Sequence, residues 1–301
     1  MITDIHKNLF SYALLVPAFI YTLLYGYFTL PYMVLAFQDF NYTKGIFHSD
    51  WVGFYNFKFF FSSDYFLVVT WNTLKFNFLF IVLGTISALV FSIVLNEIKS
   101  KWFIRTTQTT FLFPHFVSWI VVSYVIYSIF NTKFGIINQI LGLFGHPGYN
   151  FYTNPEYWTA ILVGFHIWKN TGYLSVIYLA SILGIDETLY EAAYIDGANR
   201  WQKIKHITLP LLMPTVSILT ILAVGKIFYG DFAMMYAIIG DNGLLLPTTD
   251  VIDTYEFRLL RQTGDPSGAM AVGFYQSLVG FVLVITVNKL VRRLNSDHAI
   301  Y

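Results

Sequence analysis

Six long apolar runs, each with few charged residues, limit how this chain can fold more than any other feature. Each is long enough to cross a hydrocarbon core about 30 Å thick, which needs roughly 20 helical residues. Such runs form helices because lipid offers no partner for unpaired backbone amides. We therefore predict an all-α, polytopic membrane protein, with residues 1–301 forming a single transmembrane domain. The six predicted spans are 10–37, 70–96, 108–130, 157–183, 211–240 and 269–291.

Composition and charge agree with a bilayer as the solvent. Hydrophobic residues make up 56% of the chain and charged residues only 12%, which excludes an ordinary soluble domain. If both termini are cytoplasmic, ten lysines and arginines lie in or beside inner segments, five lie in outer segments, and three lie within the spans. Because positively charged residues collect on the cytoplasmic side, this asymmetry predicts that both termini are inside.

The polar segment 184–210, between the fourth and fifth runs, predicts a helical hairpin on the inner face. Asp186 can cap a first helix, because its carboxylate can accept a backbone N–H of the first turn. Gly197 should then end that helix, since glycine tolerates the left-handed geometry of a turn. We expect a second helix at 199–206 that ends before Pro210.

A spaced motif lies within this hairpin. Glu191-Ala192-Ala193 is followed after three residues by Gly197, and after nine more by Ile207-Thr208-Leu209-Pro210. This is the pattern E-A-A-x3-G-x9-I-x-L-P that is found in permeases of binding-protein-dependent ABC importers. The chain resembles that family, and the resemblance implies the type I ABC importer permease fold with six transmembrane helices and a cytoplasmic coupling-helix hairpin.

Further stretches make the chain similar to the sugar-importer permeases, in the branch that handles oligo- and polysaccharides. The departures from the pattern are small: Asp186 stands where proline is common, Asn199 where serine is frequent, and Lys226 is less familiar. The stretches that carry the similarity are 12–18, 36–40, Trp51-Val52-Gly53-Phe54-Tyr55-Asn56-Phe57, 72–74, 113–119 and 250–255.

The resemblance implies a transport subunit in a bacterial cell (inner or plasma) membrane, not an enzyme. No Gly-x4-Gly-Lys-Ser/Thr loop occurs in the sequence, so separate ATPase subunits should bind ATP and Mg²⁺. The other expected partners are a second, non-identical permease, an extracellular or periplasmic binding protein, membrane lipid and a carbohydrate; no nucleic acid is expected. The residues assigned by resemblance to coupling with the ATPase are Glu191, Ala192, Ala193, Gly197, Ala198, Arg200 and Pro210.

Ionisable groups inside spans are costly and mark functional candidates. Lys75 lies near the outer end of its span, and we expect it to reach the interface, whereas Lys169 and Lys226 lie near mid-depth. Asp231 is a candidate partner for either deep lysine. One interpretation of these groups is a solute-lining surface; the other is a structural network between helices. The candidate pathway residues are His166, Lys169, Asn170 and Tyr173, at i, i+3, i+4 and i+7, with Lys226, Tyr229 and Asp231.

Other functional classes stay open on the residues alone. An importer permease for a different small solute would carry the same hairpin motif. A membrane-embedded enzyme would need clustered acidic or histidine groups at a membrane face, and only Asp250, Asp253 and Glu256 are clustered. A channel or secondary transporter would not require the hairpin motif. We predict no catalytic residue, no metal ligand and no cofactor bound to this chain.

Overall fold

A computed structural model describes residues 8–294 of the chain, with side chains as far as residue 289. In chain order the α-helices are α1 (Leu9–Thr22), α2 (Tyr55–Phe61), α3 (Asp64–Asn96), α4 (Lys101–Phe116), α5 (Trp119–Phe130), α6 (Ile136–Leu143), α7 (Trp158–Leu183), α8 (Glu187–Ile195), α9 (Arg200–Lys203), α10 (Leu209–Val224), α11 (Phe232–Ile239), α12 (Leu246–Thr249), α13 (Ile252–Arg258) and α14 (Pro266–Leu294). π-helical turns occupy Leu23–Tyr27, Ile204–Thr208 and Leu259–Thr263, and 3₁₀ segments occupy Leu30–Phe37, Phe151–Thr153 and Pro155–Tyr157. The prediction of a helical protein is confirmed.

The chain divides into two compact units. The first contains residues 8–63 and 256–275. It includes a small antiparallel ladder that the sequence did not predict, formed by β1 (Gln38–Asp39) and β2 (Asp50–Trp51). The ladder is held by aromatic packing, since the Phe37 ring stacks on Trp51 with 5.6 Å between centroids.

The second unit contains residues 64–255 and 276–294 and holds the main core. Helices α3 and α4 both pack against α7. The approach of α4 requires Gly172, because a Cβ at that position would lie 2.0 Å from the carbonyl oxygen of Phe111. The fully buried side chains of this core include Phe76, Ile126, Trp158, Leu162, Met234 and Leu245.

Four helical segments are long and apolar enough to cross a bilayer, and the number rises to six if each of two bent helix pairs counts as one span. The predicted number lies at the upper end of that range. The predicted second and sixth runs begin later than the helices do, at 70 and 269 instead of 64 and 266. The four unbroken segments are Leu9–Phe37, Asp64–Asn96, Arg200–Val224 and Pro266–Lys289.

The prediction of a continuous helix over 108–130 is wrong. This stretch contains two helices, α4 and α5, whose axes differ by 100°. Val117 and Ser118 between them are extended, and the Ser118 hydroxyl caps α5 by accepting the Val121 N–H at 3.4 Å. The break therefore has its own capping group on one side.

A second break interrupts the run 211–240, at a stretch where Gly225 and Gly230 allow close approach or a local break. Helix α10 ends at Val224, residues 225–230 form turns, and α11 begins after Asp231. Asp231 caps α11, because its Oδ1 accepts the Met234 N–H at 3.0 Å. The first run is also divided, with α1 followed by a π-helical turn and a 3₁₀ segment.

The hairpin at 184–210 matches its predicted first half but not its end. The expected stop before Pro210 is wrong, because helical structure continues from Arg200 to Val224. A π-helical turn at Ile204–Thr208 makes this possible: the Leu209 N–H bonds to the Ile204 carbonyl, five residues back. The wider turn accommodates the proline, which cannot donate its own backbone bond.

Candidate functional site

The first helix of the hairpin, α8, begins as the sequence predicts. The Asp186 carboxylate accepts the Thr188 N–H at 3.0 Å, and this capping bond holds the pKa of Asp186 below its usual range. At the other end, Gly197 has a φ of 79°, and the Ala198 N–H bonds back to the Ala193 carbonyl at 2.9 Å. Both ends of α8 are therefore fixed by local hydrogen bonds.

The hairpin is tied to the helical segment that follows it and to the end of α3. The Tyr190 and Thr208 hydroxyls are hydrogen-bonded at 2.9 Å. The Arg200 Nε lies 3.9 Å from a carboxylate oxygen of Glu97, which directly follows α3. Because Arg200 is mostly exposed, this pair contributes little free energy.

Several side chains of the hairpin project into open space. Tyr194, Ile195 and Trp201 are 74%, 84% and 76% exposed, and we call these three residues the coupling surface. Glu191, Ala192 and Gly197 of the motif are also exposed, whereas Ala193 and Ala198 are partly covered. Ala193, Gly197 and Ala198 line a shallow depression of about 330 Å³ between the two arms.

A second cavity, of about 390 Å³, lies among α3, α7 and the break after α10. We call it the solute cavity. It brings together four of the seven residues predicted from the sequence, namely His166, Lys226, Tyr229 and Asp231. Asn77 and Tyr178 add polar groups to its wall.

The other three predicted pathway residues do not line the solute cavity. The Lys169 Nζ donates to three backbone oxygens at the end of α4: Pro114 at 3.0 Å, His115 at 2.7 Å and Val117 at 2.5 Å. It also lies 5.3 Å from the centre of the Trp119 ring. Because Lys169 is only 7% exposed, its ammonium group is fully committed to closing the break between α4 and α5.

Asn170 and Tyr173 belong to the same break. The Asn170 Oδ1 lies 3.2 Å from His115 Nδ1, and the Tyr173 ring stacks on the His115 ring with 4.4 Å between centroids. The structure therefore places these two residues in a network between α4 and α7. This was the second of the two interpretations that the residues alone left open.

Asp231, the candidate partner for either deep lysine, forms no direct ion pair with either of them in the part of the chain that the structure describes. Its Oδ2 accepts the indole N–H of Trp119 at 3.0 Å, and its Oδ1 caps α11. Within the described residues it has no ion pair with Lys169 or Lys226 closer than 4.0 Å. Trp119 lies at the start of α5, so the hydrogen bond joins the two broken spans directly.

The outer lysine, Lys75, also differs from expectation. Its Nζ does not extend freely to the interface but donates to Asn72 Oδ1 at 3.0 Å and to the Thr248 carbonyl at 2.9 Å. A longer contact of 3.4 Å reaches the Thr159 hydroxyl. Lys75 therefore links α3, α7 and α12 inside the protein.

The comparisons with known proteins agree on one family. The model of the family described as "binding-protein-dependent transport system inner membrane component" matches residues 80–296. The chain belongs to this family. It is a multi-pass membrane permease of a binding-protein-dependent transport system.

Individual relatives and solved structures match the permease over nearly its whole length. Protein LplB of Bacillus subtilis (strain 168) is 31% identical over 97% of this chain and 91% of its own length. The polygalacturonan/rhamnogalacturonan transport system permease protein YteP of the same organism is 31% identical over 96% and 89%. A chain in the crystal structure of a bacterial ABC transporter involved in the import of the acidic polysaccharide alginate superposes on this chain with a TM-score of 0.88. The two chains are 31% identical, and the match covers 97% of this chain and 98% of that chain. The same type of transporter in complex with an alginate pentasaccharide-bound periplasmic protein gives a TM-score of 0.86 and 32% identity, over 97% of both chains.

These matches confirm the predicted type I importer permease fold. They cover the hairpin and both breaks, so the geometry described above lies within the matched part of the permease. The roles of individual side chains in the cavity follow from their contacts.

Two features of the permease site were missed by the sequence reasoning. Asn77 donates to the Tyr229 carbonyl at 3.1 Å, and as a polar residue inside a span it could have been found by the rule applied to the lysines. Asp253 Oδ2 accepts the Gly230 N–H at 2.6 Å and the Gln276 amide at 2.9 Å. No local signal predicts this bond, because Asp253 follows Gly230 by 23 residues.

Proposed function

We propose that this permease is a membrane-spanning subunit of an ATP-driven ABC importer that moves a carbohydrate, an oligosaccharide or polysaccharide fragment. A binding protein outside the inner membrane delivers the cargo. The observation that carries the proposal is the intact hairpin, with its capped helix α8 and the exposed coupling surface. The saccharide assignment is supported by the similarity to YteP, a polygalacturonan/rhamnogalacturonan transport system permease protein, and to a transporter involved in alginate import.

The coupling surface fits a cleft in a cytoplasmic ATPase subunit. Tyr194 and Ile195 end α8, and Trp201 lies in α9. Three large side chains exposed together on the two arms of the hairpin are unfavourable in water and favour burial against a partner. ATP and Mg²⁺ bind to that partner. A second, non-identical permease subunit completes the solute pathway.

The hairpin can transmit motion to the solute cavity through one helical segment. Arg200–Val224 is continuous, and at about 1.5 Å per residue it reaches roughly 37 Å from the hairpin to the break at 225–230. Lys226, Tyr229 and Asp231 lie at or next to that break. A shift of the hairpin driven by the ATPase would therefore move one wall of the cavity as a rigid body.

The coupling role is tested with Gly197→Pro in the complete importer reconstituted with its partner subunits. Proline cannot adopt the φ of 79°, so we expect the ATPase to dissociate and uptake to be lost. Gly145→Pro is the matched control, since Gly145 has a φ of 77° and open space around it but lies far from the hairpin in sequence. ATPase copurification with both variants at wild-type levels would contradict the coupling assignment.

The solute class is tested by uptake of a panel of saccharides, peptides, amino acids and inorganic anions into proteoliposomes. We expect ATP-dependent accumulation of saccharides. Accumulation of peptides or amino acids instead would place the chain among importers of another solute.

The proposed orientation has both termini and the hairpin in the cytoplasm. The chain contains no cysteine, so single cysteines can be labelled without background. In intact cells, Lys133→Cys should react with an impermeant thiol reagent and Lys203→Cys should not. Labelling of Lys203→Cys alone would invert the orientation.

A further inference from the structure

We propose that Lys226 forms a carboxylate-binding subsite in the solute cavity and makes an acidic saccharide the preferred cargo of this permease. The inference rests on the proposed function, because it assumes that the cargo is a saccharide. In this proposal, Lys226 determines whether the permease prefers charged or neutral sugars.

The two deep lysines differ in what their ammonium groups contact. Lys169 has three carbonyl acceptors and is almost completely buried. Lys226 is exposed and lines the solute cavity, and its ammonium has no hydrogen bond or ion pair with the described residues. Only one of the two lysines therefore has binding capacity left for a ligand.

The carboxylate in the wall of the solute cavity is already engaged in hydrogen bonds. Asp231 is the acidic residue of its wall, and both of its oxygens already accept hydrogen bonds from Trp119 and from Met234. The carboxylate therefore serves the helix break and leaves the Lys226 charge without a close counter-ion among the described residues. An ammonium group in a membrane cavity without a counter-ion is electrostatically unfavourable, and an anionic ligand would compensate it.

The wall of the solute cavity also offers an aromatic surface beside the cation. The His166 ring stacks on Phe80 with 3.7 Å between centroids, which fixes its orientation. Its Nδ1 is buried and has no hydrogen-bond partner in the described part of the chain. Because that atom is not accessible from the cavity, the surface available to a sugar is the Tyr229 ring, which is 42% exposed and can pack against the face of a pyranose.

The position of Lys226 also suits brief binding. It lies two residues beyond the end of α10, so the cation moves with the segment Arg200–Val224. A lysine presents one compact point charge, which holds a carboxylate without the two-point geometry of arginine. The cargo can therefore be held in one state of the transporter and released when α10 shifts.

The test uses the complete importer in proteoliposomes with its binding protein at saturating concentration. The cargoes are trigalacturonate and its fully methyl-esterified form, which has the same length but no charge. The affinity of the binding protein for each is measured separately. We compare wild type with Lys226→Gln, which removes the charge, and with Lys226→Arg, which keeps it.

The expected result is that Lys226→Gln lowers the ratio of acidic to neutral uptake by about tenfold, equivalent to about 1.4 kcal/mol. Lys226→Arg should keep most of the wild-type ratio. Equal loss of both cargoes, or loss of the second permease subunit during purification, would assign Lys226 to structure and overturn the subsite.

Two further outcomes separate this inference from the function on which it rests. Wild-type uptake of neutral saccharides alone would overturn the acidic preference and leave the saccharide importer intact. Uptake of neither saccharide, with uptake of another solute, would overturn the proposed function itself.

Discussion

Replacement of Lys169 by methionine should destabilise the permease, because the ammonium group closes the break between α4 and α5. Methionine keeps the length of the aliphatic side chain and removes the three hydrogen bonds. In the described residues, the carbonyls of His115 and Val117 receive no backbone N–H, while the Pro114 carbonyl also accepts the Val117 N–H at 3.2 Å. The substitution thus leaves two partly buried acceptors without a donor.

Each unsatisfied acceptor costs about 1–3 kcal/mol, which gives a loss of roughly 2–6 kcal/mol for the two carbonyls. Part of this is offset because an ammonium no longer has to be buried. We therefore expect a net destabilisation of about 2–4 kcal/mol. Amides around the break, at 117–122, should also exchange faster with deuterium.

The assay is the thermal unfolding midpoint of the purified importer in detergent, combined with hydrogen exchange. Lys226→Met is the matched control, since it is the same substitution at a lysine whose ammonium has no partner among the described residues. We expect the midpoint to fall for Lys169→Met and not to fall for Lys226→Met. Equal midpoints for all three proteins would refute the assignment of Lys169 to the helix break.

Two further predictions concern helix contacts and caps. Gly172→Ala should lower the unfolding midpoint of the importer because the new Cβ would lie 2.0 Å from the Phe111 carbonyl oxygen, whereas Gly164→Ala, in the same helix with nothing within 4 Å, should be tolerated. Asp186→Ala should weaken copurification of the ATPase by removing the α8 cap. Hydrogen bonding lowers the pKa of Asp186. The cap is therefore fully formed at any pH above the usual aspartate pKa, and it is lost as the pH falls through the lowered pKa of Asp186. The difference in ATPase copurification between Asp186→Ala and wild type should therefore become smaller at acidic pH. A difference that does not change with pH would contradict this account.

The features that the sequence predicted correctly depend on local chemistry. The apolar runs locate the long helices, and the cap at Asp186 and the turn at Gly197 follow from residue types that act on their own backbone. These features need no knowledge of what packs against them.

Glycine and proline mark stretches where a helix can break, but whether and how sharply it breaks depends on groups supplied from elsewhere in the fold. Proline alone does not decide where a span breaks, since Pro17 and Pro214 lie inside continuous helices while the chain breaks shortly after Pro114. The difference at this break is the Lys169 ammonium, which comes from α7 and satisfies the exposed carbonyls.

The grouping of the candidate pathway residues in one cavity was predicted only in part, for a similar reason. Helical spacing correctly put His166, Lys169, Asn170 and Tyr173 on related positions of α7, but it gave no information on their neighbours. Along the helix those neighbours change from the solute cavity beside His166 to the end of α4 beside Lys169. Periodicity defines a face, and the packing of the other helices decides what each part of that face contacts.

The π-helical turn at Ile204–Thr208 is equivalent to a one-residue insertion in an α-helix. Deletion of one residue there would restore an ordinary helix and rotate everything beyond it by about 100° relative to the hairpin. Lys226 and Tyr229 would then leave the cavity wall, although no residue of the cavity had been changed. Homologous chains that differ by one residue in this short stretch should therefore place different side chains in the pathway, so a residue-by-residue alignment across it would compare positions that face different surroundings.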